Sequence, residues 1–111
     1  MQTVVETSAF MRRAEKLLSE AEHAELIGYL AIHPWVGDEI PGTGGVRKMR
    51  FAAMGRGKSG GVRVIYYAYD EYAPIYALLV YGKNERADLT AEQRKSVAAF
   101  SAAIKATRKR R

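Results

Sequence analysis

Two stretches of alternating residues, separated by glycines, constrain this chain more than any other feature. From Val46 to Ala53, Met49 and Phe51 fall on one side while Lys48 and Arg50 fall on the other. From Gly61 to Asp70, Val62, Val64 and Tyr66 share one face, and Arg63, Ile65 and Tyr67 share the opposite one. A period of two is the signature of a half-buried strand, so each stretch presents one side to a core and the other outward. Joined through MGRGKSG, the two predict a β-hairpin with a long, glycine-rich connection. Ile75 to Lys83 is apolar on both faces and predicts a third, central strand.

The charges of the chain concentrate on this hairpin. Between Thr43 and Tyr69 lie Arg47, Lys48, Arg50, Arg56, Lys58 and Arg63, with no Asp or Glu. The three parts of the chain (before, within and after this stretch) carry net charges of −4, +6 and +4, giving the overall +6. Cations without a local counter-charge require an anion from elsewhere, and a pI near 9.7 favours polyanions through counterion release. Arg108 to Arg111 inflate the global figure; their nearer role is to complement the dipole of a C-terminal helix.

The flanking segments read as helices. Gln2 to Glu6 predicts an opening strand, with Thr7 or Ser8 capping a helix whose Phe10, Ala14, Leu17 and Leu18 form one apolar stripe. Ser19 to Glu22 is a capping box that opens a second helix, carrying Leu26, Ile27 and Leu30 inward until Pro34 stops it, so the two helices form a hairpin. Pro34 to Gly45 is dense in Gly and Pro and predicts a loop in which Trp35 seals a core edge. Thr90 to Gln93 is another capping box, followed by Val97, Phe100 and Ile104 on one face of a last helix. The order is β-α-α-β-β-β-α, an α+β domain spanning residues 1–111. With 111 residues, no Cys and no long apolar run, a single cytoplasmic domain is expected.

Several familiar chemistries do not fit. Gly57-Lys58-Ser59 resembles the end of a phosphate-binding loop, and Gly55, Gly57 and Gly60 spell G-x-G-x-x-G, but both motifs require a following helix and here a strand follows. His23 and His33 are the only histidines, both on the helical hairpin, and no metal constellation or paired carboxylate accompanies the basic patch. Lys, Arg and Tyr would have to carry any catalysis. One reaction suits them: cleavage of RNA by its own 2′-hydroxyl, in which the substrate supplies the nucleophile. Arg forks stabilise the extra charge on pentacoordinate phosphorus, and a Lys crowded by like charges loses its proton more easily.

GTGGVRKMRFA, GRGKSGGVRVIYYAYD and PIYALLVYGKNERADLTAEQRK, in that order, resemble the RelE/ParE superfamily of type II toxins, most closely its HigB-like branch. The resemblance implies a RelE-like fold, with a curved, antiparallel-rich sheet packed by the helical hairpin and the C-terminal helix. It also implies a cognate antitoxin, often a helix-turn-helix protein, and cleavage of mRNA in the ribosomal A site without metal or cofactor, leaving a 2′,3′-cyclic phosphate. By that resemblance Arg63 holds the scissile phosphate, Lys48 or Arg50 acts as base or stabilises the transition state, and Lys58 or Lys83 assists the leaving oxygen. Arg56, Lys58, Tyr67 and Asn84 are assigned to RNA contact. Asn84 stands where RelE-type toxins carry a second basic residue, and Tyr67, outward beside Arg63, substitutes for a C-terminal tyrosine that has no counterpart here. Two other functions fit the same patch: a ParE-like gyrase inhibitor that hydrolyses nothing, and a non-catalytic RNA-binding or antitoxin-binding remnant.

Overall fold

The computed structural model describes residues 2–52, 61–83, 85 and 88–109. Its elements follow in the order β1 (Val4–Glu6), α1 (Ser8–Leu17), α2 (Glu20–Ile32), β2 (Asp38–Glu39), β3 (Arg47–Phe51), β4 (Val62–Tyr67), β5 (Ile75–Gly82) and α3 (Ala91–Lys109). The capping signals act as read. The Thr7 hydroxyl accepts from the Phe10 amide, Ser19 and Glu22 close a reciprocal capping box, and Thr90 and Gln93 exchange a second pair of bonds at 3.0 Å. Such caps satisfy amides that the first helical turn leaves without carbonyl partners.

The strands form one five-stranded sheet in the order β1-β5-β4-β3-β2. β3, β4 and β5 pair antiparallel, while β1 runs parallel to β5. β5 is therefore hydrogen-bonded on both edges, as expected of a strand apolar on both faces. β2 departs from the sequence expectation, which placed a loop from Pro34 to Gly45. Asp38 and Glu39 pair with Lys48 and Arg47, adding a fifth strand at the edge. Two acidic residues lack the alternation that announces a strand; cross-strand attraction to the basic edge of β3 supports this one.

Alternation divides the sheet into two cores. On one face, Phe10, Ala14 and Leu17 of α1 and Leu26 and Leu30 of α2 pack against Met49, Val64 and Tyr66, all buried. Each fully buried Leu or Phe stabilises the fold by about 1.5–3 kcal/mol. On the other face, α3 lays Val97, Phe100 and Ile104 over Ile65, Tyr67 and Leu78, with Phe100 edge-on to Tyr76 at 5.2 Å. Ser101, buried, donates to the Thr43 carbonyl at 2.6 Å, and Arg94 donates to the Pro41 carbonyl, so α3 also anchors the turn before β3.

Trp35 does not seal a core edge. It is 48% exposed, because the chain leaves α2 in the turn His33–Val36 before β2 begins, outside either cluster. Among the described residues, no helix is long and apolar enough to cross a membrane.

Candidate nucleic-acid interface

The end of the β3–β4 ladder beyond α3 borders an open cleft of about 760 Å³, lined by Tyr29, Val36, Gly37, Asp38, Lys48, Met49, Arg50, Arg63 and Lys83. Lys48 and Arg50 come from β3, Arg63 from β4, and Lys83 from the turn after β5. Residues distant in sequence meet here because β4 pairs with both neighbours. Arg50 lies directly across from Arg63, and Arg63 directly across from Tyr81. The cleft contains no residue of α3, which covers only the opposite end of that face.

Two glycines make this geometry possible. Gly61 opens β4 at φ +79°, and a Cβ there would lie 2.2 Å from the Phe51 carbonyl oxygen, so the close start of the hairpin accepts no side chain. Gly37 packs against the Tyr66 hydroxyl, to which its amide donates at 2.8 Å, and its own carbonyl accepts from Arg47 Nη1 at 2.6 Å. That packing brings Asp38 alongside β3.

The electrostatics of the cleft are unbalanced. Like charges directly opposite one another in a ladder destabilise it, so the Arg50–Arg63 pair opposes folding. Arg63 is half-buried, and its Nη1 is buried without a hydrogen-bond partner among the described residues. A charged donor left in that state is costly unless an anion completes it. Among the described residues, Lys48 is the cleft cation with a carboxylate partner. Its Nζ donates to Asp88 at 3.0 Å, and this contact holds the Asp88 carboxyl below its ordinary pKa. Arg47, on the other side of β3, is committed elsewhere: it donates to the carbonyls of Trp35 and Gly37 and lies 3.5 Å from Glu39.

Of the residues assigned from sequence, Lys48, Arg50, Arg63 and Lys83 line the one cleft. Arg56, Lys58 and Asn84 lie outside the described residues. Tyr67 is not on an exposed surface. It shares its face with Arg63, as alternation required, but α3 covers that part of the face and leaves it 2% exposed. Burial, with Tyr69 and Asp70 adding to it, raises its pKa above the ordinary tyrosine value. A shift in pairing between Ile65 and Tyr66 further separates strand position from strand count, and the tyrosine paired with Arg63 is Tyr81 of β5. Sequence reasoning also found no carboxylate near the patch. Asp38 and Asp88 reach it from β2 and from the segment before α3, and no local pattern in the sequence marks either approach.

The family model described as "RelE toxin of RelE / RelB toxin-antitoxin system" matches residues 4–111. Among solved structures, the chain is similar to a double arginine-to-alanine mutant of the E. coli toxin RelE in the free state. The TM-score is 0.56 at 18% identity, over 89% of this chain and 95% of that one. At that identity the structural likeness speaks for the fold alone.

Proposed function

Because this chain belongs to the RelE toxin family of type II toxin-antitoxin systems, we propose that it is a cytoplasmic toxin that cleaves translated mRNA on the ribosome and is neutralised by a cognate antitoxin, for which a helix-turn-helix protein is our candidate. The observation that carries the reading is the convergence of Lys48, Arg50, Arg63 and Lys83 on one open cleft. Among them lies a buried guanidinium nitrogen, Arg63 Nη1, with no hydrogen-bond partner among the described residues. A phosphodiester supplies the anion that this arrangement lacks.

In the proposed reaction, the RNA 2′-oxygen loses its proton and bonds to the adjacent phosphorus. The bond from phosphorus to the 5′-oxygen breaks, and that oxygen takes up a proton, leaving a 2′,3′-cyclic phosphate and a 5′-hydroxyl. Arg63 grips the scissile phosphate, and Arg50, directly across the ladder, shares the charge that grows on its oxygens. Arg50 remains protonated in a protein and cannot serve as the base. Lys48, whose Nζ donates to Asp88, is engaged with that carboxylate and is assigned to charge stabilisation. Asp38 is the carboxylate that lines the cleft, and it takes the role of proton acceptor. Lys83, exposed in the turn after β5, protonates the leaving oxygen.

Expression of the chain in growing bacteria, with mapping of mRNA ends, tests the reading. Growth arrest with cuts inside translated codons is expected, together with loss of both in Arg63→Ala. Arrest with intact mRNA and inhibited DNA supercoiling would replace this reading with gyrase inhibition. RNA binding without cuts on translating ribosomes would reduce the protein to a binding remnant.

A further inference from the structure

The basic cleft has an aromatic rim that the phosphate chemistry does not use. Tyr29, near the end of α2, lines the cleft while remaining 39% exposed, and its ring lies against His33 at 4.7 Å between centroids. Beyond His33, Trp35 is 48% exposed, and Val36, next to it, lines the cleft at 51% exposure. An exposed tryptophan ordinarily samples several rotamers, but this one is held. The Arg47 guanidinium lies 5.2 Å from its ring centroid, and the same Arg47 donates to the carbonyls of Trp35 and Gly37. Arg47 thus fixes both the ring and the backbone that carries it, although it lies on the side of β3 away from Arg50.

We propose that Tyr29 and Trp35 form a stacking platform for unpaired bases of single-stranded RNA whose backbone lies in the cleft. This inference rests on the reading of the cleft as an RNA-phosphate site. A phosphate track beside orientated, exposed rings is the arrangement that binds single strands, because every base offers a π-face and the backbone supplies the charge. The patch adjoins a strongly cationic surface, and this continuity favours a nucleic acid over an apolar protein segment. Tyr29 accepts a base beside the phosphate contacts; Trp35, one residue before the cleft-lining Val36, takes a base beyond it. Arg47 is a positioning residue that presents the tryptophan.

Trp35 is the chain's single tryptophan, so its fluorescence reports on the platform alone. The experiment titrates the full chain at low salt with short single-stranded oligoribonucleotides carrying an end label. Label anisotropy gives affinity, and Trp35 emission gives stacking. Saturable quenching in step with binding is expected. Tyr29→Ala and Trp35→Ala should each weaken binding by roughly ten-fold, with Trp35→Phe close to the parent. Because neither ring neutralises a phosphate, the salt dependence of binding should be unchanged in both Ala variants. The proposal is overturned if RNA binds, and loses affinity in Arg63→Ala, while Trp35 emission stays constant and both alanine variants bind like the parent. The cleft reading would then stand and the aromatic rim would pass to a protein partner. If no oligoribonucleotide binds, the cleft reading fails and the platform fails with it.

Discussion

The two faces of the β3–β4 ladder are built from the same ten or so residues and serve opposite ends. On the face toward α1 and α2, Met49, Val64 and Tyr66 are buried, and the Tyr66 hydroxyl accepts a hydrogen bond from Gly37. On the other face, Ile65 and Tyr67 are buried under α3, but farther along the strands an exposed Arg50 stands opposite a half-buried Arg63. The first face minimises free energy. The second keeps part of itself unfavourable, and a cross-strand pair of cations with no carboxylate partner among the described residues is what an anionic ligand can relieve. On the proposed function, core packing and RNA contact are thus separated by the pleat, one residue apart along each strand.

Substitutions on either face can break that separation. Phe10→Ala, which empties a fully buried site in the first core, should cost about 3–5 kcal/mol in chemical denaturation. Any residual folded fraction should retain cleavage per folded molecule; selective loss of activity would show that the faces are coupled. Arg63→Ala should do the reverse, lowering cleavage by roughly 10²–10³-fold, as removal of a preorganised charge donor does. Its denaturation midpoint should hold or rise, since the opposition to Arg50 is gone, and a large drop in stability would place Arg63 among the structural residues.

Smaller effects sharpen the same contrast. Burial raises the pKa values of Tyr66 and Tyr67, on opposite faces, above the ordinary tyrosine value of 10.0. Unfolding releases these phenols to ionise at their ordinary pKa, so their contribution to stability is complete below about pH 10 and declines as the pH rises further. Urea denaturation between pH 8 and roughly 11 should show that loss, and Tyr67→Phe should reduce it; an unchanged slope would mean that Tyr67 does not titrate in the way its burial requires. The smallest expected effect belongs to Asp88→Asn. It removes the carboxylate that neutralises Lys48, so single-stranded RNA should bind more tightly at low salt while the unfolding midpoint stays put. Weaker binding would mean that Asp88 positions Lys48 instead of competing with the phosphate.

Much of the fold was legible because its signals are local. The Ser19–Glu22 and Thr90–Gln93 boxes mark helix starts through bonds made within four residues, and the stripe of Phe10, Ala14, Leu17 and Leu18 needs only the helical period. The candidate site was legible in part for the same reason. Alternation alone put Lys48, Arg50 and Arg63 on one face. The misread residues depend on what packs from a distance. Tyr67 has the same alternation as Arg63, and only the length and placement of α3 decide that one is buried and the other borders a cleft. Trp35, large and apolar, suggests a core residue until the turn after α2 carries it outward beside Arg47.

By itself, then, the sequence determined every strand but β2, the capped helices, the side of β3 and β4 on which the cations stand, and the excess of positive charge in the middle of the chain. Period, capping and charge are properties of neighbours along the backbone. Tertiary structure alone decided which cations meet, which receives a carboxylate and which tyrosine stands beside Arg63. These are properties of register and cover: β2 brings Asp38 to the basic edge, a shift between Ile65 and Tyr66 resets the pairing with β5, and α3 closes one end of a face and leaves the other open. A local pattern can say that a side chain points outward; what it meets there depends on segments dozens of residues away.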